Sequence, residues 1–309
     1  MKIAYLILCH TDPMHIKRLT EKITYGTDDE VYIHVDRKYD IAPFQDALNN
    51  LSRVHLIENR VAVNWGGYSS VNATISLIKA ANIGGYDRIV ILQGLEYPIR
   101  TNSKIHEFLE KNADKEFIRA QNISESANPK ERHKYSLYWS LDNKDIWAKL
   151  IHRINMKLFL GRGVIPAFKK DYVLDNAGRR LQIYQGCAQF SVTRELAKHI
   201  EEFHDQNPMF NQYFKTMYAP DEAYFHTIVY NSPLVKKTTD GKAVAEAHLT
   251  ELANLTYFEY PKLVTLFTKK EDWPRLRDSG YLFFRKASSE SKELLDYIDE
   301  QHALEKSEI

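Results

Sequence analysis

Lys2-Ile3-Ala4-Tyr5-Leu6-Ile7-Leu8-Cys9 is a short, uninterrupted apolar run. A run of this length with no polar alternation reads as a strand buried on both faces. His10-Thr11-Asp12-Pro13 then forms a turn, and Met14–Tyr25 carries helical spacing. Val31-Tyr32-Ile33-His34-Val35-Asp36 repeats the pattern as a second buried strand ending in a polar group. Residues 53–57 form a shorter strand. Asn64-Trp65-Gly66-Gly67-Tyr68-Ser69-Ser70 is a glycine-hinged turn into a helix over about 69–83. Arg88-Ile89-Val90-Ile91-Leu92-Gln93 is a further strand, followed by Gly94-Leu95-Glu96-Tyr97-Pro98. Strands alternating with helices predict an α/β fold with a mainly parallel central sheet covered by helices. Ligands of such sheets bind outside the carboxyl ends of the strands, where His10, Asp36 and Glu96 fall.

Composition sets the outer limits. With 309 residues, 44% hydrophobic and 27% charged, the chain is long enough for a substantial core and has ordinary soluble proportions. A net charge of +1 gives no electrostatic drive toward nucleic acid. Its two cysteines, Cys9 and Cys187, lie in apolar stretches and read as small buried side chains in a reducing compartment. No apolar run approaches the ~18–20 residues that span a bilayer. The expectation is a cytoplasmic protein, with peripheral association at the inner face of a membrane as a further option.

Farther along, residues 121–180 lose the pattern and are expected to be an inserted, mobile segment bordering the site. The pattern resumes at Ile183–Val192, and Thr193 caps a helix to about 204. Tyr218-Ala219-Pro220-Asp221-Glu222 places two adjacent carboxylates at the opening of an apolar helical run. Acids are favoured in a helix's first turn, and a carboxylate held there suits a general base. The plainer alternative is that Asp221 caps the helix and Glu222 is solvated. Tyr281–Lys286 leads an apolar strand into two cations, and a polar helix or tail follows over 288–309.

Six stretches taken together resemble the branching-type glycosyltransferases (glycosyltransferase family 14), which include the core 2 and I-branching β-1,6-N-acetylglucosaminyltransferases and the peptide O-xylosyltransferases. They are Ile33–Lys38, Trp65-Gly66-Gly67-Tyr68-Ser69, Leu92–Arg100, Tyr184–Arg194, Ala219–Glu222 with Phe225-His226-Thr227, and Leu282–Lys286. Their order and spacing fit from about residue 2 to 287. The resemblance implies a single GT-A-type nucleotide-sugar-binding domain over 1–287 and an inverting transfer from a UDP-α-sugar to an acceptor hydroxyl. It places Glu222 on the catalytic base, with Asp221 beside it. No Asp-x-Asp occurs in the chain, and the resemblance implies that cations replace a metal: Lys286 with Arg285, and a second cation for which Lys262 and Lys269 are candidates. No cofactor is expected beyond the UDP-sugar donor. The acceptor is expected to be a glycan, soluble or lipid-linked, in bacterial surface-glycan synthesis.

Other positions stay open between two readings. Asp36 contacts the uridine or ribose, or it stabilises its turn through an Asx bond. His10 meets the nucleotide or is structural. Trp65 packs beneath its turn, in the simpler reading, or stacks on sugar. Glu96, where relatives usually carry Asp, contacts substrate with Tyr97 or orders the Tyr97-Pro98 turn. Tyr257 and Glu259 fall in the stretch that lines the acceptor site in relatives, although core packing also explains Tyr257. A non-catalytic carbohydrate-binding protein is the alternative function.

Overall fold

The computed structural model describes residues 1–128 and 172–307, with isolated positions at 131, 132, 135, 139, 141, 142, 147, 150 and 154. Most of the insertion expected over 121–180 lies outside the described residues.

Five strands build the central sheet: β1 (Ile3–Cys9), β2 (Glu30–Val35), β3 (Val54–Leu56), β4 (Arg88–Gln93) and, far along the chain, Ser191–Thr193. Their spatial order places that last strand at one edge, then β4, β1, β2 and β3. The four early strands are parallel and the late one is antiparallel to β4. Side-chain alternation explains the uninterrupted apolar runs. Ala4 and Leu6 join Ile89 and Ile91 on one face, whereas Ile3, Tyr5, Ile7 and Cys9 join Val90 and Leu92 on the other. Helix α1 (Pro13–Thr24) supports the second face and α2 (Ala42–Leu48) packs beside it; α3 (Ser69–Asn82) covers the first.

A second, three-stranded sheet grows from the end of β4. The chain turns at Gly94-Leu95 into β5 (Glu96–Pro98), then enters α4 (Asn102–Lys111). Gly94 is required there, because a Cβ would lie 2.6 Å from that of Cys9. After the short strands β6 (Gln121–Asn122), β7 (Tyr172–Leu174), β8 (Arg180–Gln182) and β9 (Tyr184–Gln185), the edge strand is β10 (Ser191–Thr193). Helix α5 (Arg194–Gln206) starts where the Thr193 side chain accepts from Leu196 N, and α6 (Pro208–Phe214) follows. Helix α7 (Tyr224–Tyr230) is buried at all seven positions. Strands β11 (Thr256–Phe258) and β12 (Phe283–Arg285) complete the second sheet in the order β11, β12, β5, with α8 (Trp273–Asp278) between them in sequence.

The polar stretch expected over 288–309 contains the closing helix α9 (Lys292–Ser307), which docks on the core. Leu294, Leu295 and Ile298 are buried in the core shared with α1. Asp299 accepts from the Tyr97 hydroxyl at 2.9 Å and pairs with Arg18 at 2.7 Å and Lys22 at 2.5 Å. Among the described residues, no helix is long and apolar enough to cross a membrane.

Burial holds three histidines neutral: His34 and His302 are pushed down to about 4, and His226 to about 3. The unfolded chain takes up these protons first, so their contribution is full above the ordinary histidine value of ~6.5 and is lost as pH falls toward the folded values. Glu96, pushed up to about 7 by burial, acts oppositely: its contribution is complete at low pH and is lost as pH rises through 7. Burial also lowers His15, His199 and His204 and raises Glu116, so the lowered histidines outnumber the raised glutamates and the net loss is on the acid side. The urea midpoint is expected to fall between about pH 7 and pH 4.5. His302 donates through Nε2 to Ile99 O at 2.9 Å, so His302→Gln keeps a donor and should lose less stability over that range. Equal slopes for variant and wild type would refute this.

Candidate active site

The parallel sheet delivers three loops to one edge. Asp36 N donates to Cys9 O and Gly94 N to Leu8 O, which fixes the ends of β2 and β4 beside that of β1. The segment after β12 closes over them: Ala287 N donates to Leu95 O at 2.9 Å, and Ser289 donates through N and Oγ to the Asp12 carboxylate. Arg285 and Lys286 therefore run past the loops that follow β1 and β4. Lys286 is half-buried and forms no ion pair among the described residues. Its backbone joins Thr265 O and Phe267 N, which close the stem of a loop whose exposed tip carries Lys262.

Glu222 reaches this edge differently from the sequence expectation. Pro220–Glu222 is a 3-10 turn entered through Ala219 at φ 43, and the α-helix begins two residues later at Tyr224. Neither acid lies in the helix's first turn, and neither caps it. What orients Glu222 is β9. Gln185 Nε2 donates to Glu222 Oε2 at 3.2 Å, and Gly186 N donates to Glu222 O at 2.8 Å. Gln121 Nε2 in turn holds Gln185 Oε1 at 3.1 Å. Sequence alone assigns Gln185 no role; its place next to Gly186 in the apolar run that ends at Val192 is the signal the chain offers.

Charge connects the two halves. Cys187, buried so deeply that its thiol stays protonated, feels Glu222, Arg285 and Glu96 together. The backbone makes the same link: Gly186, beside Cys187, holds Glu222 O, and Cys187 packs in one cluster with Phe258, the partner of Arg285 in the β11–β12 pair. Nearby, Tyr218 is pushed up to about 12 by burial first, then by Glu222 and Tyr260. Ala219 N donates to Gly66 O, carrying the Trp65 loop onto the same turn. Trp65 does not pack beneath that loop. It is 80% exposed and meets Tyr218 edge-on, with ring centroids 5.8 Å apart.

The remaining candidates divide. Asp36 Oδ1 accepts from Lys38 N at 2.9 Å, an Asx bond, and from Val63 N at 3.2 Å, so its carboxylate organises two loops. His10 is exposed at the end of β1, its ring 5.2 Å from that of Tyr39. Tyr97 turns away into the α1–α9 core, where its hydroxyl is taken by Asp299 and Arg18. Tyr257 donates to Glu259 at 2.6 Å, and Glu259 pairs with Arg275 at 3.0 Å; the Tyr257 ring packs near Phe267 and Tyr281. No three His, Cys, Asp or Glu among the described residues gather where they could hold a metal ion.

The model of one family, the Core-2/I-Branching enzymes, matches residues 3–251. The chain belongs to that family. This branching-family chain is 26% identical over 249 residues to xylosyltransferase 2 of Rattus norvegicus, covering 78% of this chain and 26% of that protein. It is 21% identical over 320 residues to a xylosyltransferase of Ciona intestinalis, covering 97% and 34%. It therefore spans about a quarter to a third of the length of these curated relatives. The apo structure of mouse xyloside xylosyltransferase 1 aligns over 92% of this chain and 97% of that one, at 10% identity and a TM-score of 0.34, too loose to carry an argument.

The support beneath Glu222 is testable through Gly186. A Cβ there would lie 2.0 Å from Arg119 O and 2.4 Å from His226 Nε2, two atoms that cannot swing aside. Gly186→Ala is expected to cost about 3 kcal/mol or more in urea unfolding. Gly178→Ala, at φ +78 with open space around it, should cost about 1 kcal/mol. Similar losses would show that the strand can shift.

Proposed function

We propose that the chain is an inverting, metal-independent glycosyltransferase that moves xylose or N-acetylglucosamine from a UDP-α-sugar to an acceptor hydroxyl. The observation that carries this reading is the backbone link between Glu222 and Arg285: Gly186 N holds Glu222 O, the next residue Cys187 packs in one cluster with Phe258, and Phe258 pairs with Arg285 across β11 and β12, with Lys286 next in sequence. A lone carboxylate facing fixed cations suits a displacement with one base and one departing diphosphate.

The acceptor hydroxyl gives its proton to the Glu222 carboxylate, which Gln185 orients through Oε2. The acceptor oxygen forms a bond to the sugar's anomeric carbon as the bond to the diphosphate breaks on the opposite face. The bonding electrons leave with UDP, and Arg285 and Lys286 balance the charge that develops there. Trp65 and Tyr218 offer ring faces to an incoming sugar. Exposed Tyr260, Leu263 and Leu266 lie on the loop that carries Lys262. An apolar rim of that kind favours a lipid-linked glycan acceptor and peripheral docking at a membrane.

Glu222→Gln should keep donor binding while transfer slows by about 10²–10⁴-fold. Undiminished turnover would remove Glu222 as the base. Lys286→Ala should weaken UDP-sugar binding roughly 10–100-fold, measured by calorimetry, because a charge-assisted contact is lost. Transfer should persist in excess chelator. A protein that binds sugars and releases no UDP would instead be the non-catalytic alternative.

A further inference from the structure

In the second sheet, Glu96 stands directly opposite Arg285 in the antiparallel pair of β5 and β12. Opposed residues share a face, with Cβ atoms about 4.5–5.5 Å apart. Tyr97 and Phe284, the next pair, point the other way. Glu96 is 0% exposed, and its Oε2 receives one long hydrogen bond, from Thr256 Oγ1 at 3.4 Å. Both Glu96 Oε1 and Arg285 Nε are buried without a hydrogen-bond partner. Two orphaned groups of opposite charge therefore face each other behind the candidate donor site.

The other neighbours cannot replace Arg285. Thr256 on β11 is neutral, and Gln189, in the loop before β10, offers Glu96 only a neutral amide. Gln93 contributes its backbone from the end of β4. Cys187 is held as the thiol. His15 on α1 meets Glu96 through the backbone, Nε2 to O at 3.1 Å, and burial favours its neutral form. Glu222, whose backbone is held by Gly186 beside Cys187, adds negative charge. Of these groups, Arg285 is the one cation.

We propose that Glu96 is the internal counter-charge of Arg285, and that its proton decides how much of the guanidinium's charge is left for the donor's diphosphate. Glu96 is thereby a positioning residue; the proposal rests on the donor-binding reading given above. When Glu96 is protonated, Arg285 is free to face the diphosphate. When Glu96 is ionised, it competes for the same guanidinium. Burial pushes Glu96 up to about 7 although Arg285 opposes the rise, so the free protein holds both forms near neutrality. An arriving diphosphate adds negative charge beside Glu96 and raises its proton affinity further. Donor binding therefore takes up a proton, and affinity falls as pH rises above about 7, by at most about tenfold per pH unit.

The test is calorimetry on the full chain with UDP-xylose and UDP-N-acetylglucosamine. UDP itself is avoided, because a terminal phosphate titrates near about 6. Titrations at about pH 6.5 and 8.5, in buffers of different ionisation enthalpy, read affinity and proton uptake together. Wild type is expected to lose about tenfold or more in affinity and to take up a proton. Glu96→Gln should bind at high pH as wild type does at low pH, without uptake, and Glu96→Asp should restore the pH dependence. Persistent uptake in Glu96→Gln would overturn the proposal. Should that variant not fold, wild-type binding that is independent of pH would overturn it equally. Wild type that binds neither nucleotide sugar would instead refute the donor-binding reading itself.

Discussion

Parallel pairing of β1 with β2 on one side and β4 on the other is the constraint from which the site follows. Parallel neighbours must be joined by crossovers, so each strand leaves the sheet at the same edge. Both faces of β1 are taken by apolar cores. Polar chemistry is therefore confined to the strand ends, and His10, Asp36 and the Gly94-Leu95 turn become neighbours although they are far apart in sequence. The second sheet hangs from this edge through β5 and brings Arg285 with it.

Across from that edge, Glu222 is held by a neutral amide. A lysine in place of Gln185 would also fix the carboxylate, but its charge would hold Glu222 ionised and weaken it as a proton acceptor. An amide orients without that penalty. Glu96 has the contrasting environment, fully enclosed and opposite a guanidinium. The two carboxylates thus have different neighbours, an amide for one and a guanidinium for the other, the arrangement by which a protein assigns different tasks to the same functional group.

The sheet was legible because its strands are continuous apolar runs whose both-sided burial leaves few alternatives. The Thr193 cap was legible because a side-chain oxygen before a helix has one dominant use. Asp221 and Glu222 were harder. A proline-led 3-10 turn and the first turn of an α-helix share the same residue preferences, and the break at Ala223 depends on tertiary packing. The exposure of Trp65 was hidden because a large ring is ordinarily expected indoors, whereas here the ring beside Tyr218 is the buried Trp139. Tyr97 illustrates a further limit: alternation says that it and Glu96 face apart, but only the placement of α9 decides which face is core. The helix over 288–309 was legible but its docking was not, since its buried apolar residues are few and its ion pairs are made with residues far away in sequence.

That tie has a consequence for biosynthesis. Asp299 gathers Arg18, Lys22 and Tyr97, so the earliest helix finds its last partner nearly three hundred positions downstream. A ribosome must extrude that distant carboxylate before α1 can settle, and until then the first core stays open on one flank. Long-range closure of this kind slows folding and prolongs exposure of sticky surface. The first core of this protein therefore closes only after its last helix has been made.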